Sequence, residues 1–197
     1  MGRIATTLEL AKASWQVLKA DKELVALPVL SGLASIVVAL TFLVPAGFLS
    51  GADSVGTVEY VLLAALYLAM AFVTIFFNTA LVYAAHERLS GGDPTVGSAI
   101  AGAAKHIPQI FVWAAISATV SVILKSIQER AGFVGQIVVG LIGLAWALVT
   151  FLVIPVFVIE NLGVRESVSR SASLFKGTWG ENVAARVGFG LLGFVAT

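Results

Sequence analysis

Cysteine is absent from the chain, which excludes disulfides and thiolate metal sites. Charge is scarce too. Asp, Glu, Lys and Arg make up 12% of the residues, against about 25% in an average soluble chain. The formal net charge of +1 carries none of the concentrated basic surface that a nucleic-acid partner requires. Histidine occurs twice, at His86 and His106, so a metal site would need a chance tertiary meeting with scattered carboxylates. What fills the chain instead is apolar: 59% hydrophobic residues and a mean hydropathy of +1.00. Such an excess must face a solvent other than water, and lipid is the simplest one.

The apolar residues form long runs, and a helix needs about 20 of them to cross a hydrocarbon core of about 30 Å. Residues 24–49, 60–83, 108–124 and 134–159 make four such runs, and residues 183–197 begin a fifth. None contains Asp, Glu or Lys, and the single internal charge, Arg186, stands within a turn of its helix start. The first run exceeds the 7–15 residues typical of a cleaved signal core, so it reads as a span. The expectation is an all-α, polytopic transmembrane bundle forming a single integral membrane domain over residues 1–197, with the last span missing.

Lys and Arg in short loops mark the cytoplasmic side. Arg3, Lys12, Lys19 and Lys22 precede the first run, Arg88 and Lys105 lie between the second and third, and Arg165, Arg170 and Lys176 follow the fourth. The intervening connections hold only Lys125 and Arg130. The N-terminus is therefore expected in the cytoplasm, in a cell-membrane protein.

Each basic segment carries apolar residues at helical spacing. These are Ile4, Leu8, Ala11, Trp15 and Leu18; then Val96, Ile100, Ala103 and Ile107; then Val164, Val168, Ala172 and Phe175. The pattern predicts a repeated unit of one amphipathic surface helix followed by a transmembrane hairpin, with units near 1–83, 84–159 and an incomplete 160–197. Three units would make six spans.

The stretch "SGGDPTVGSA", residues 90–99, comes close to a phosphate-binding loop, since Gly92 and Gly97 bracket four residues and Ser98 follows. It lacks the lysine that such a loop places before the hydroxyl residue, and a transmembrane run precedes it instead of a strand. A plainer reading has Gly91 and Gly92 ending one helix, with Asp93 and Pro94 starting the next. His86 and Glu87 lack the second histidine of a zinc helix, since Ser90 stands at that place. The alternating serines of "SVSRSAS", residues 167–173, spread around a helix and imply no nucleophile–base pair. Pro155 frees a carbonyl and predicts a kink near the cytoplasmic end of the fourth span. Asn78, Gln136 and Thr150, with Thr74, Ser117 and Thr119, are expected to hydrogen-bond between helices.

The segments "SWQVLKADKELVALPVLSG", "FFNTALVYAAHERLSGGDPTVGSAI", "VIPVFVIENLG" and "SASLFKGTWGEN" resemble a widespread prokaryotic family of uncharacterised six-span integral membrane proteins, catalogued as a domain of unknown function. That resemblance spans nearly the whole chain and implies topology without activity. The surface-helix and hairpin pattern is more loosely similar to the membrane domain preceding some glycerophosphodiester phosphodiesterases, whose catalytic barrel this sequence lacks. Two functional classes follow. One is a non-catalytic membrane component without a cofactor, whose basic residues Lys12, Lys19, Lys22, Arg88, Lys105, Arg165, Arg170 and Lys176 meet anionic lipid headgroups, a protein partner or a second copy. The other is a transporter or channel for a small or lipid-like solute. An intramembrane enzyme would need acid–base groups at depth, and only amides and hydroxyls lie there.

Overall fold

The computed structural model describes residues 22–49 and 57–177. Among them there are seven helices and no strand. They are α1 (Lys22–Leu49), α2 (Thr57–Leu89), α3 (Val96–Ala104), α4 (Ile107–Arg130), α5 (Phe133–Thr150), α6 (Val153–Ile159) and α7 (Val164–Phe175). Four stretches are long and apolar enough to cross a membrane: Leu24–Pro45, Thr57–Leu89, Ile107–Arg130 and the α5–α6 stretch Phe133–Ile159. Their large apolar side chains point outward, as Val37 and Val61, each 62% exposed, illustrate. Water would not tolerate that arrangement over whole helices, whereas hydrocarbon does. The first surface helix expected of the repeat, the fifth run, Lys12 and Lys19 lie outside the described residues.

The described residues divide into two compact units, one up to Ala118 and one from Thr119. In the first, α1 packs along α2, and α3 lies against both. The buried cluster there is Leu24, Leu27, Ala80, Ala84, Ala99 and Ala103, rimmed by Phe76, Phe77, Leu81, Val96 and Ile100. Small residues let the helices approach closely, because lipid supplies no hydrophobic force between them and contact area must do so. Gly102 carries this furthest: a Cβ built there would sit 2.4 Å from the Tyr83 ring.

At 1.5 Å per residue, the 33 residues of α2 reach about 50 Å, well beyond the hydrocarbon thickness. The third span is also longer than its apolar run. It continues as helix to Arg130, so Lys125 and Arg130 stand on α4 itself and the connection to α5 is only residues 131–132.

In the second unit the fourth span is interrupted. α5 ends at Thr150, Phe151 and Leu152 form a turn, and α6 restarts at Val153. Pro155 explains the location, since its missing N–H and its ring act on the carbonyl four residues earlier, that of Phe151. Pro155 itself then falls in the first turn of α6, where an N–H is not needed. The discontinuity sits about 10 Å short of Ile159 by helical rise, deeper than the kink expected at the proline. After α6, Asn161 adopts a left-handed φ of 51°, and α7 folds back onto α6 and α5. Asn tolerates that conformation better than other side-chain-bearing residues.

Candidate functional site

The corner after α2 is tied by its backbone. Gly91, at φ +85°, sends its N–H to Arg88 O at 3.0 Å, and Gly92 sends its N–H to Glu87 O at 2.9 Å. This paired closure satisfies the last carbonyls of α2, as the glycines led one to expect. The start of α3 differs from expectation. Thr95, not Asp93, is the cap: its Oγ1 accepts from Ser98 N at 3.0 Å while Ser98 Oγ accepts from Thr95 N at 2.9 Å. Asp93 instead takes an ion pair from Arg88 at 3.0 Å, and Arg88 also donates to Gly92 O at 3.3 Å. With helices on both sides and the Ser98 amide of α3 already taken by Thr95, the stretch is a helix–helix corner rather than a phosphate cradle.

Across that corner, Ser98 Oγ lies 3.1 Å from Glu87 Oε2, fastening α3 to the end of α2. Lys105 holds its Nζ 5.8 Å from the centre of the Tyr83 ring, within cation–π range. His106 is buried beside it. Burial first, and the Lys105 charge second, push its pKa below the ordinary 6.5, so the imidazole is neutral at pH 7.

The second unit has its own polar centre. Ser171 of α7 is fully buried, donates its hydroxyl to Val149 O and accepts from Leu152 N–H at 3.2 Å. One side chain therefore serves both the last turn of α5 and the turn residue beyond it. Ser167, one helical turn earlier and also fully buried, has no hydrogen-bond partner among the described residues. The apolar positions Val164, Val168, Ala172 and Phe175 are only partly buried. The docked face of α7 is thus rotated from the expected apolar stripe toward two of the serines expected to spread around the helix. Their spacing of four, next to a proline-interrupted span, was the available signal.

The basic candidates separate by environment. Arg88 is held by Asp93, and Arg170 sets its Nε 3.2 and 3.1 Å from the two carboxylate oxygens of Glu160. Lys105 rests on Tyr83. Arg165 and Lys176 are exposed and form no ion pair among the described residues. Lys22 opens α1.

Of the intramembrane candidates, Asn78 is exposed and lines a cavity of about 150 Å³ with Pro28, Ser31, Phe77 and Leu81, between α1 and α2. Gln136 Nε2 donates to Ala131 O at 3.4 Å, and Thr150 donates to Trp146 O at 2.8 Å. Thr74 does the same to Met70 O at 2.9 Å. These bonds stay inside or at the end of each residue's own helix, not between helices, because a hydroxyl on a helix reaches the carbonyl four residues back at no cost in packing. No group of three His, Asp or Glu residues placed to hold a metal occurs among the described residues.

Long outward-apolar helices joined by charged, hydrogen-bonded corners define an all-α membrane-type helical protein. The chain belongs to the family of unknown function DUF6159, whose model matches residues 57–196. No curated protein and no solved structure matches it.

Proposed function

We propose that this chain is a non-catalytic multi-pass component of the cell membrane, with its N-terminus in the cytoplasm, that engages anionic lipid headgroups through its basic corners and so organises lipid or partner proteins. The observation that carries this reading is the polarity of α7. Its serine face is docked on protein while Arg165 and Lys176 stand exposed without carboxylate partners among the described residues. Arg88 and Arg170, by contrast, are neutralised locally and belong to corner architecture. Among the described basic side chains, Lys105, Arg165 and Lys176 are then left to meet headgroups, each contributing about 1 kcal/mol, or roughly fivefold, near an anionic surface.

The test is lipid selectivity. The full chain, extracted from mixed phosphatidylcholine and phosphatidylglycerol membranes, should retain phosphatidylglycerol in excess. The triple variant Lys105→Gln, Arg165→Gln, Lys176→Gln should lose that excess. Equal retention of both lipids by the unaltered chain would sink the reading.

The interrupted fourth span favours a second reading, a transporter for a small or lipid-like solute, since discontinuous helices line many transport pathways. Solute flux into proteoliposomes separates the two.

A further inference from the structure

We propose that α7 is a latch on the fourth span: contact of its basic face with an anionic membrane surface withdraws Ser171 from the discontinuity at Phe151–Leu152 and frees α5 and α6 to hinge there.

Three observations converge. The span is discontinuous at a defined place, with Leu152 at φ −95°, ψ 3° between two helical segments. A turn at hydrocarbon depth needs its exposed backbone groups satisfied from elsewhere, and Ser171 supplies both a donor for Val149 O and an acceptor for Leu152 N–H. Removing that hydroxyl leaves the turn without either. The docked state is also weakened from within, because the Ser167 hydroxyl is buried beside it with no partner among the described residues. A latch so built is held closed by one side chain and biased toward release by its neighbour.

The trigger lies on the opposite side of the same helix. At about 100° per residue, Arg165 and Lys176 fall within roughly 20° of each other and roughly 150° from the line of Ser167 and Ser171. A force on the two cations therefore acts away from the discontinuity. Arg170, midway along α7, is bound to Glu160 at the end of α6, which tethers the helix to the span it leaves. The latch rests on the headgroup-binding reading for its trigger.

The experiment is hydrogen exchange read on peptides covering residues 149–156, with the full chain in nanodiscs of phosphatidylcholine alone or mixed with phosphatidylglycerol. Exchange should be about tenfold faster in the anionic discs, the size expected for losing one such hydrogen bond. Ser171→Ala should exchange fast in both lipids while still retaining phosphatidylglycerol. Pro155→Ala, which returns an N–H donor to the Phe151 carbonyl, should exchange slowly in both. If phosphatidylglycerol is retained but exchange is the same in both discs, the latch is wrong and headgroup binding survives. If Ser171→Ala keeps the full lipid dependence, Ser171 is not the latch. If phosphatidylglycerol is not retained at all, headgroup binding fails, and the trigger fails with it.

Discussion

The ring of Tyr83 lies against the bare Cα of Gly102, so close that a methyl group there would stand 2.4 Å from it. This contact brings α3 down onto α2 and leaves Lys105 Nζ 5.8 Å from the centre of the same ring. Ala99 and Ala103, each 0% exposed, complete the seat on the α3 side.

Gly102→Ala should therefore unseat α3, at the 1–3 kcal/mol typical of overpacking, roughly. A lowered melting temperature in detergent is the expected readout. Pairing it with Tyr83→Ala should recover part of the loss, because the obstacle is gone. A double variant no better than the single one would place the strain elsewhere.

Thr95→Ala should cost more than Asp93→Ala. The threonine caps α3 and its loss typically costs about 1 kcal/mol. The aspartate only completes an ion pair whose side chains are 37% and 90% exposed, a class worth about 0–1 kcal/mol. Comparing the two melting temperatures decides whether the helix starts where the hydrogen bonds place it. The reverse order would restore Asp93 as the cap.

Gly91→Ala should destabilise the corner by about 1 kcal/mol, since φ +85° forces a side chain into the left-handed region. Gly132→Ala serves as the control, because nothing lies within 4 Å of its added carbon. The two variants should part clearly in thermal denaturation.

Acid should weaken the protein through His106. Its folded pKa lies below the ordinary 6.5, so the unfolded chain binds the proton more readily and stability is lost as pH falls from about 6.5 toward the folded value. At higher pH the imidazole is neutral in both states and contributes no slope. His106→Gln should flatten the melting temperature between pH 7 and 5. An unchanged slope would assign the acid sensitivity to carboxylates.

The spans were legible because their physics is collective: about 20 apolar residues in a row leave little choice of environment. The glycine corner was legible for a local reason, since Gly91 and Gly92 permit backbone that other residues resist. Sequence reading placed the α3 cap two residues early because Asp-Pro is a strong start signal in isolation. It could not see Arg88 claiming that carboxylate from the preceding helix. The discontinuity was displaced from Pro155 to Phe151–Leu152 because a proline injures the turn before it. Ser167 and Ser171 were missed because a polar pair on a surface helix looks solvent-bound until a neighbouring helix breaks and needs donors. Thr74 and Thr150 were assigned partners on other helices, yet each found one on its own.

The surplus length of α2 has a mechanical result. Because α3 is seated on Tyr83, Ala80 and Ala84, it travels with α2 as one lever. Leaning is one way a thin bilayer accommodates such a lever, and it swings Lys105 sideways by several ångströms for each ten degrees or so. Membrane thickness is thereby converted into the position of a positive charge.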